Sequence, residues 1–233
     1  MISLRSYSLL GGHDNAWLKA RLHVAVAGLG KPEHHAIGPL VAWNDDQIAA
    51  LSGFPLHSHQ DMEIVTYVRD GAISHQDSLG NRGRTVAGDI QVMSAGTGIR
   101  HSEWNAEESV TRIFQIWLRP RTAGGVPRWE SRQLKGAASN DQFEVLATGY
   151  QDGSHALSIN ADARILGATM TAGRRISRVL GSTSAAYLVP VRGTVIVNGH
   201  TVHPQDGAYV VDEEILAVEA VDPTEVVMVE VSR

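Results

Sequence analysis

Two short stretches of this chain carry groups able to bind an ion. FPLHSHQDMEIVTYV, residues 54–68, sets His57 and His59 two positions apart just ahead of a strongly apolar run. SAGTGIRHSEWN, residues 94–105, sets His101 and Glu103 at the same spacing behind a glycine-rich turn. On a β-strand alternate side chains share a face, so the members of each pair point the same way, with Cα atoms roughly 6.6 Å apart. Gly96 and Gly98 suit a hairpin that returns the second strand beside an earlier one. Three imidazoles and a carboxylate would then meet at one point. Imidazole suits Zn, Cu, Fe and Ni, and mixed nitrogen and oxygen ligation with open positions suits redox iron. One such pair alone would be the polar end of a strand; two in one β domain favour a metal.

The remaining candidates are weaker. His34 and His35 are adjacent and on a strand would point opposite ways, although a loop near the pocket can use one of them. His75, in GAISHQDSLGN, reads as a surface residue beside a hairpin turn, and His200 and His203 flank a turn at Pro204 without a partner pair. Glu63 lies four residues after His59 and is expected on the same face. It is the rival carboxylate, with an outer or proton-handling role if Glu103 is the ligand. No GxSxG, phosphate loop or cysteine nucleophile supports another enzyme class.

The elements that must position these groups are strands. EIVTYVRDGAI, RTVAGDIQVMSAG, TRIFQIWLRP, AAYLVPVRGTVIVNGH and EVVMVEV are short apolar runs punctuated by Gly, Pro, Asn and Asp, the pattern of an antiparallel sandwich or barrel. Short helices are expected only near Ala16–Leu22 and Pro127–Leu134. YVRDGAI (67–73) is echoed by PVRGTVI (190–196), and RTVAGDIQVM (84–93) by HTVHPQDGAYVV (200–211), as two copies of one β domain would be. Between the copies, residues 119–140 are rich in Arg, Gly, Pro and Ser and read as the linker. This predicts an N-terminal metal-binding domain over 1–133 and a metal-free C-terminal one over 134–233, since the second copy has no paired ligands.

Twenty basic and 25 acidic residues among 233 give a net charge of -5, which offers nucleic acid and anionic lipid no overall attraction. The chain has no cysteine, hence no disulfide or thiolate ligand. No apolar stretch reaches the ~18 residues of a membrane span, and the N-terminus lacks a signal peptide's apolar core. A cytoplasmic, membrane-free, monomeric protein is expected.

The stretch from Trp43 to Trp129 resembles the pirin family of bicupins. The matching pieces are WNDDQI (43–48), GFPLHSHQDMEIVTYVRDGAISHQDSLGN (53–81), GDIQVMSAGTGIRHSEWN (88–105), IFQIWLRP (113–120) and GGVPRWE (124–130). The resemblance implies two antiparallel jelly-roll β-barrels packed face to face. It places one divalent metal in the first, held by His57, His59, His101 and Glu103, with Fe(II) foremost and Cu, Mn, Zn or Ni as alternatives. It further implies a quercetin 2,3-dioxygenase-like activity, opening a flavonol with O₂ and releasing carbon monoxide. Glu103 would complete the ligand set or accept the substrate's hydroxyl proton. The other activity implied is a metal- or redox-dependent regulator acting through a protein partner. One segment departs from the family pattern: HVAVAGLGKPEHH (23–35) has no aromatic ring where pirin-like sequences carry several. A wider pocket, less suited to stacking a flat polyphenol, is therefore expected.

Overall fold

Short apolar runs broken by turn residues bury themselves without orphaning backbone polar groups by forming antiparallel ladders joined by tight turns. The computed structural model, which describes residues 1–134, 141–151 and 153–233, is built in this way. It divides into two compact units. One comprises Gly11–Gly136 with Leu157–Ala161; the other comprises Met1–Leu10, Ala137–Ala156 and Asp162–Arg233.

The unit that carries the paired histidines contains a seven-stranded sheet and a four-stranded sheet. The larger runs in the order Arg128–Arg132, Ile90–Ser94, Glu63–Asp70, Thr111–Leu118, Leu40–Ile48, Leu18–Val24 and Gly11–Asp14. The smaller runs Ser52–His59, Ile99–Asn105, Ala72–Asp77 and Arg82–Val86. The chain leaves Glu63–Asp70 for the smaller sheet through Gly71, at φ 74°, where an added Cβ would lie 2.6 Å from Thr111 Oγ1. Gly193, at φ 71°, makes the same transition between Ser184–Arg192 and Val195–Val197 in the other unit. These are the two glycines of the YVRDGAI and PVRGTVI echo.

Three expectations are corrected. Among the described residues the sheets are open rather than closed barrels: the larger sheet ends at free edges on Arg128–Arg132 and Gly11–Asp14. The turns at which the chain changes sheet interrupt the ladders, and face-to-face packing makes the core instead. The short helices near Ala16–Leu22 and Pro127–Leu134 are absent; those residues fall in the strands Leu18–Val24 and Arg128–Arg132. Leu18, Ala20 and Leu22 are buried while Lys19 between them is exposed, a period of two that a partner strand rewards. Finally, the stretch read as linker contributes Arg128–Arg132 to the sheet edge against Ile90–Ser94; its residues 135–140 lie outside the described residues. A single 3₁₀ turn, Tyr7–Leu9, is the helical element among the described residues.

Strand register divides the inner face of the larger sheet into three rows. Val68, Ile113, Asp46 and Ala20 align across four strands, and the apolar members join a cluster with Ile48 and Ile73. Met93, Ile64 and Trp117 align at the other end, with Trp129 beside Met93, and pack with Ala95 and Ile99. Between the apolar rows lies a polar one: Gln91, Thr66, Gln115 and Asn44. Among the described residues, the principal core of the other unit is filled by residues such as Leu166, Met170, Leu188, Val210 and Met228.

Candidate metal centre

The strand Ile99–Asn105 alternates cleanly. Ile99, His101, Glu103 and Asn105 are buried, while Arg100 and Trp104 are exposed. His101 pairs in register with His57 on one side and Asp77 on the other, and Glu103 pairs with His75. A β-bulge between His101 and Glu103 sets the single residue Ser102 against Pro55 and Leu56. Such a bulge bends the strand and re-aims its side chains. His57, His59 and His101 are thereby gathered, with ring centroids 4.4 Å apart for His57–His101, 4.8 Å for His57–His59 and 5.2 Å for His59–His101. One ring nitrogen from each lies within 4.8 Å of the others.

The three rings have the chemistry of ligands. Nδ1 of His57 lies 2.8 Å from the carbonyl oxygen of Pro55; as the donor there it leaves the Nε2 lone pair free. Nε2 of His59 and both ring nitrogens of His101 are buried without a hydrogen-bond partner. Burial, reinforced by the charge of His57, lowers the His59 pKa to about 4. Burial, then the neighbouring His57 and His59, lowers that of His101 to about 3. Both rings are therefore neutral at pH 7, with lone pairs to offer. Convergent imidazoles with ring nitrogens free to coordinate fit a divalent metal ion.

Glu103 reaches the same interior from below. Its Oε1 accepts from Thr66 Oγ1 at 3.0 Å and Gln91 Nε2 at 2.7 Å, and its Oε2 accepts from Gln115 Nε2 at 2.5 Å. The polar row of the larger sheet is thus the cradle for this one carboxylate. It occupies three of the roughly four acceptor positions that a carboxylate has and leaves the fourth on Oε2. Burial pushes the Glu103 pKa up, against the opposing pull of His75 and Thr66. Glu103 is not in the group of side chains whose ligand atoms already converge.

Two candidates stand elsewhere than expected. His75 is buried, 3% exposed, rather than a surface residue. It stacks on Trp129 (centroids 4.8 Å apart, planes at 7°), and its Nε2 lies 3.1 Å from Asp77 Oδ2. Its place beyond Ser74 on an alternating strand was the available signal. Glu63 does not share a face with His59, because residues 60–62 end one strand and the next begins in the other sheet. Its carboxylate takes the Ser94 hydroxyl at 2.7 Å and the Asn160 backbone N–H at 3.1 Å, and burial raises its pKa. His34 and His35 do not join the converging rings, and His200 and His203 are exposed. The sequence reading missed Thr66, Gln91 and Gln115. Each is a lone polar residue inside an apolar strand, which is the mark by which such a cradle can be found.

Residues 8–118 match the family described as Pirin. A pirin-like protein of Caulobacter vibrioides is 50% identical over 230 residues, 99% of either chain. The chain belongs to the pirin family. Residues 145–231 match the quercetinase C-terminal cupin domain, which carries the pirin assignment into the second half. A quercetin 2,3-dioxygenase of Escherichia coli K12 is 34% identical over 98% of this chain and 97% of its own. The crystal structure of the bacterial pirin YhhW from E. coli in complex with nickel(II) superposes with a TM-score of 0.91 at 32% identity, covering 100% of this chain and 99% of that one. This pirin-family chain therefore has the cupin-type two-domain fold that its sequence implied.

Proposed function

We propose that this chain is a metal-dependent dioxygenase that opens a flavonol such as quercetin with O₂ and releases carbon monoxide. The observation that carries the reading is the convergence of three imidazoles with one ring nitrogen of each within 4.8 Å of the others, where Nε2 of His59 and both nitrogens of His101 are buried without a hydrogen-bond partner. The dioxygenase name borne by the E. coli relative supports it, as does the nickel in a related pirin. A divalent ion, with iron(II) foremost, supplies Lewis acidity toward the 3-hydroxyl and 4-carbonyl oxygens of a flavonol and a route for electrons to O₂. His57, His59 and His101 hold it. The Pro55 carbonyl fixes the His57 tautomer, as outer partners of metal-bound histidines do. Glu103, cradled by Thr66, Gln91 and Gln115, has one free acceptor position with which to complete the ligand set or take the hydroxyl proton. A surface cleft of about 480 Å³ lined by Ser58, His59, Gln60, Ser78 and Arg100 touches His59.

The test loads the protein with iron(II), copper, manganese or nickel, verifies occupancy, and follows quercetin loss together with carbon monoxide. Turnover that disappears in His101→Ala is the expected result. Full occupancy by each metal without carbon monoxide would overturn the activity for this substrate.

A further inference from the structure

A fourth imidazole is built into the floor of the centre, and nothing in the ligand set accounts for it. His75 lies with its ring centroid 5.4 Å from that of His101 and tilted by 42°. It is fixed on two sides. Trp129 covers one face of the ring. Gly83, opposite His75 on the neighbouring strand, leaves the room for Trp129: a Cβ there would lie 2.2 Å from the indole. Asp77 takes Nε2, and is itself anchored by the N–H groups of Leu79 at 2.9 Å and Asn81 at 3.0 Å and by Asn81 Nδ2 at 2.9 Å.

This anchoring decides the tautomer of His75. The Asp77 carboxylate accepts three N–H groups besides the ring, one from Leu79 and two from Asn81, as an ionised carboxylate does. An ionised carboxylate only accepts, so Nε2 of His75 must donate, and Nδ1 is then a bare acceptor. That Nδ1 is buried and has no partner, and neither ring nitrogen of His101 has one. A metal-bound histidine coordinates through one nitrogen and presents N–H from the other. The two rings do not hydrogen-bond to each other in this structure, but they are neighbours at 5.4 Å, and a buried acceptor beside a buried donor is costly until the two are paired.

We propose that His75 is the positioning residue for the metal ligand His101, accepting its outward N–H at Nδ1 while donating from Nε2 to Asp77. The relay Asp77–His75–His101 closes when His101 takes the ion, and then fixes the tautomer and ring orientation of His101. The inference rests on the assignment of His101 as a ligand, and its test separates the two.

Zinc, which is diamagnetic and redox-silent, is the probe. Zinc affinity is measured by competition with a chromophoric chelator for the wild type, His101→Ala, His75→Leu and His75→Asn. Asparagine can place an acceptor oxygen where Nδ1 stood; leucine cannot. Expected are a loss of about 10- to 100-fold for His75→Leu, as for other outer partners of metal-bound histidine, and retention within a few-fold for His75→Asn. The two-bond ¹H–¹⁵N correlations of the wild-type histidine rings give an independent reading that needs no variant to fold. Expected is His75 protonated at Nε2 and bare at Nδ1. A His75 protonated at Nδ1 or itself bound to zinc, or a His75→Leu variant with wild-type affinity, would overturn the relay alone. Wild-type affinity in His101→Ala would overturn the ligand assignment and the relay with it.

Discussion

At the scale of the residue, the centre works by taking imidazoles out of water. Protonating His101 or His59 in the folded chain requires burying a charge, so their pKa values fall to about 3 and about 4. The unfolded chain binds those protons near pH 6.5, and the native chain does not until much lower pH. Stability from this source is present above pH 6.5 and is lost as pH falls from 6.5 toward 4. For His101, the more deeply buried ring, the loss from pH 6.5 to 4.5 is roughly 2 kcal/mol. Urea unfolding of the metal-free protein at the two pH values should show it, and His101→Ala should reduce the difference. Glu103 yields a separate prediction. Glu103→Gln turns one acceptor oxygen into a donor facing Thr66, Gln91 or Gln115, and removes the negative charge. Metal affinity is expected to fall modestly and carbon monoxide release by on the order of 10²-fold or more, the usual contribution of a positioned proton acceptor. Turnover equal to the wild type would remove Glu103 from the proton transfer.

At the scale of the element, the site is a product of two periodicities meeting. The smaller sheet presents His57, His59, His101, Glu103, His75 and Asp77 by alternation interrupted by one bulge, and the larger presents one polar row between two that are apolar but for Asp46. That the pairs 57/59 and 101/103 share faces was legible from spacing alone. The bulge opposite Ser102 was not, because its cause lies in how two strands of unequal length pair. Nor was the separation of Glu63 from His59 legible, since an i, i+4 spacing implies a common face only if the strand continues, and residues 60–62 break it. The packing of Trp129 over His75 depends on Gly83. Gly83→Ala should displace the indole and destabilise the protein by about 1–3 kcal/mol, the usual cost of overpacking. Tryptophan fluorescence and a denaturation midpoint would register it; an unchanged midpoint would mean that the indole relocates without cost.

At the scale of the whole molecule, one strand plan occurs twice with different interiors. The core of the second unit is filled with aliphatic side chains, while the first devotes its middle row to a carboxylate cradle. The first strand of the chain, Ile2–Arg5, pairs with Gly207–Val211 and so belongs to the unit formed by the distant half of the sequence. Deleting residues 2–5 should therefore lower the stability of that unit, while zinc affinity at the histidines stays near wild type; calorimetry and a metal titration on the same variant would check both. The sequence by itself determined the β class, the duplication and the paired ligand candidates, because alternation and turn chemistry are local properties that survive without a partner. Tertiary structure alone decided that His75 is interior, that Glu63 is not a neighbour of His59, that the sheets stay open, and that Thr66, Gln91 and Gln115 meet Glu103. Each of these depends on which strands lie side by side and in what register, and register is settled by the packing of distant segments rather than by any stretch of residues read alone.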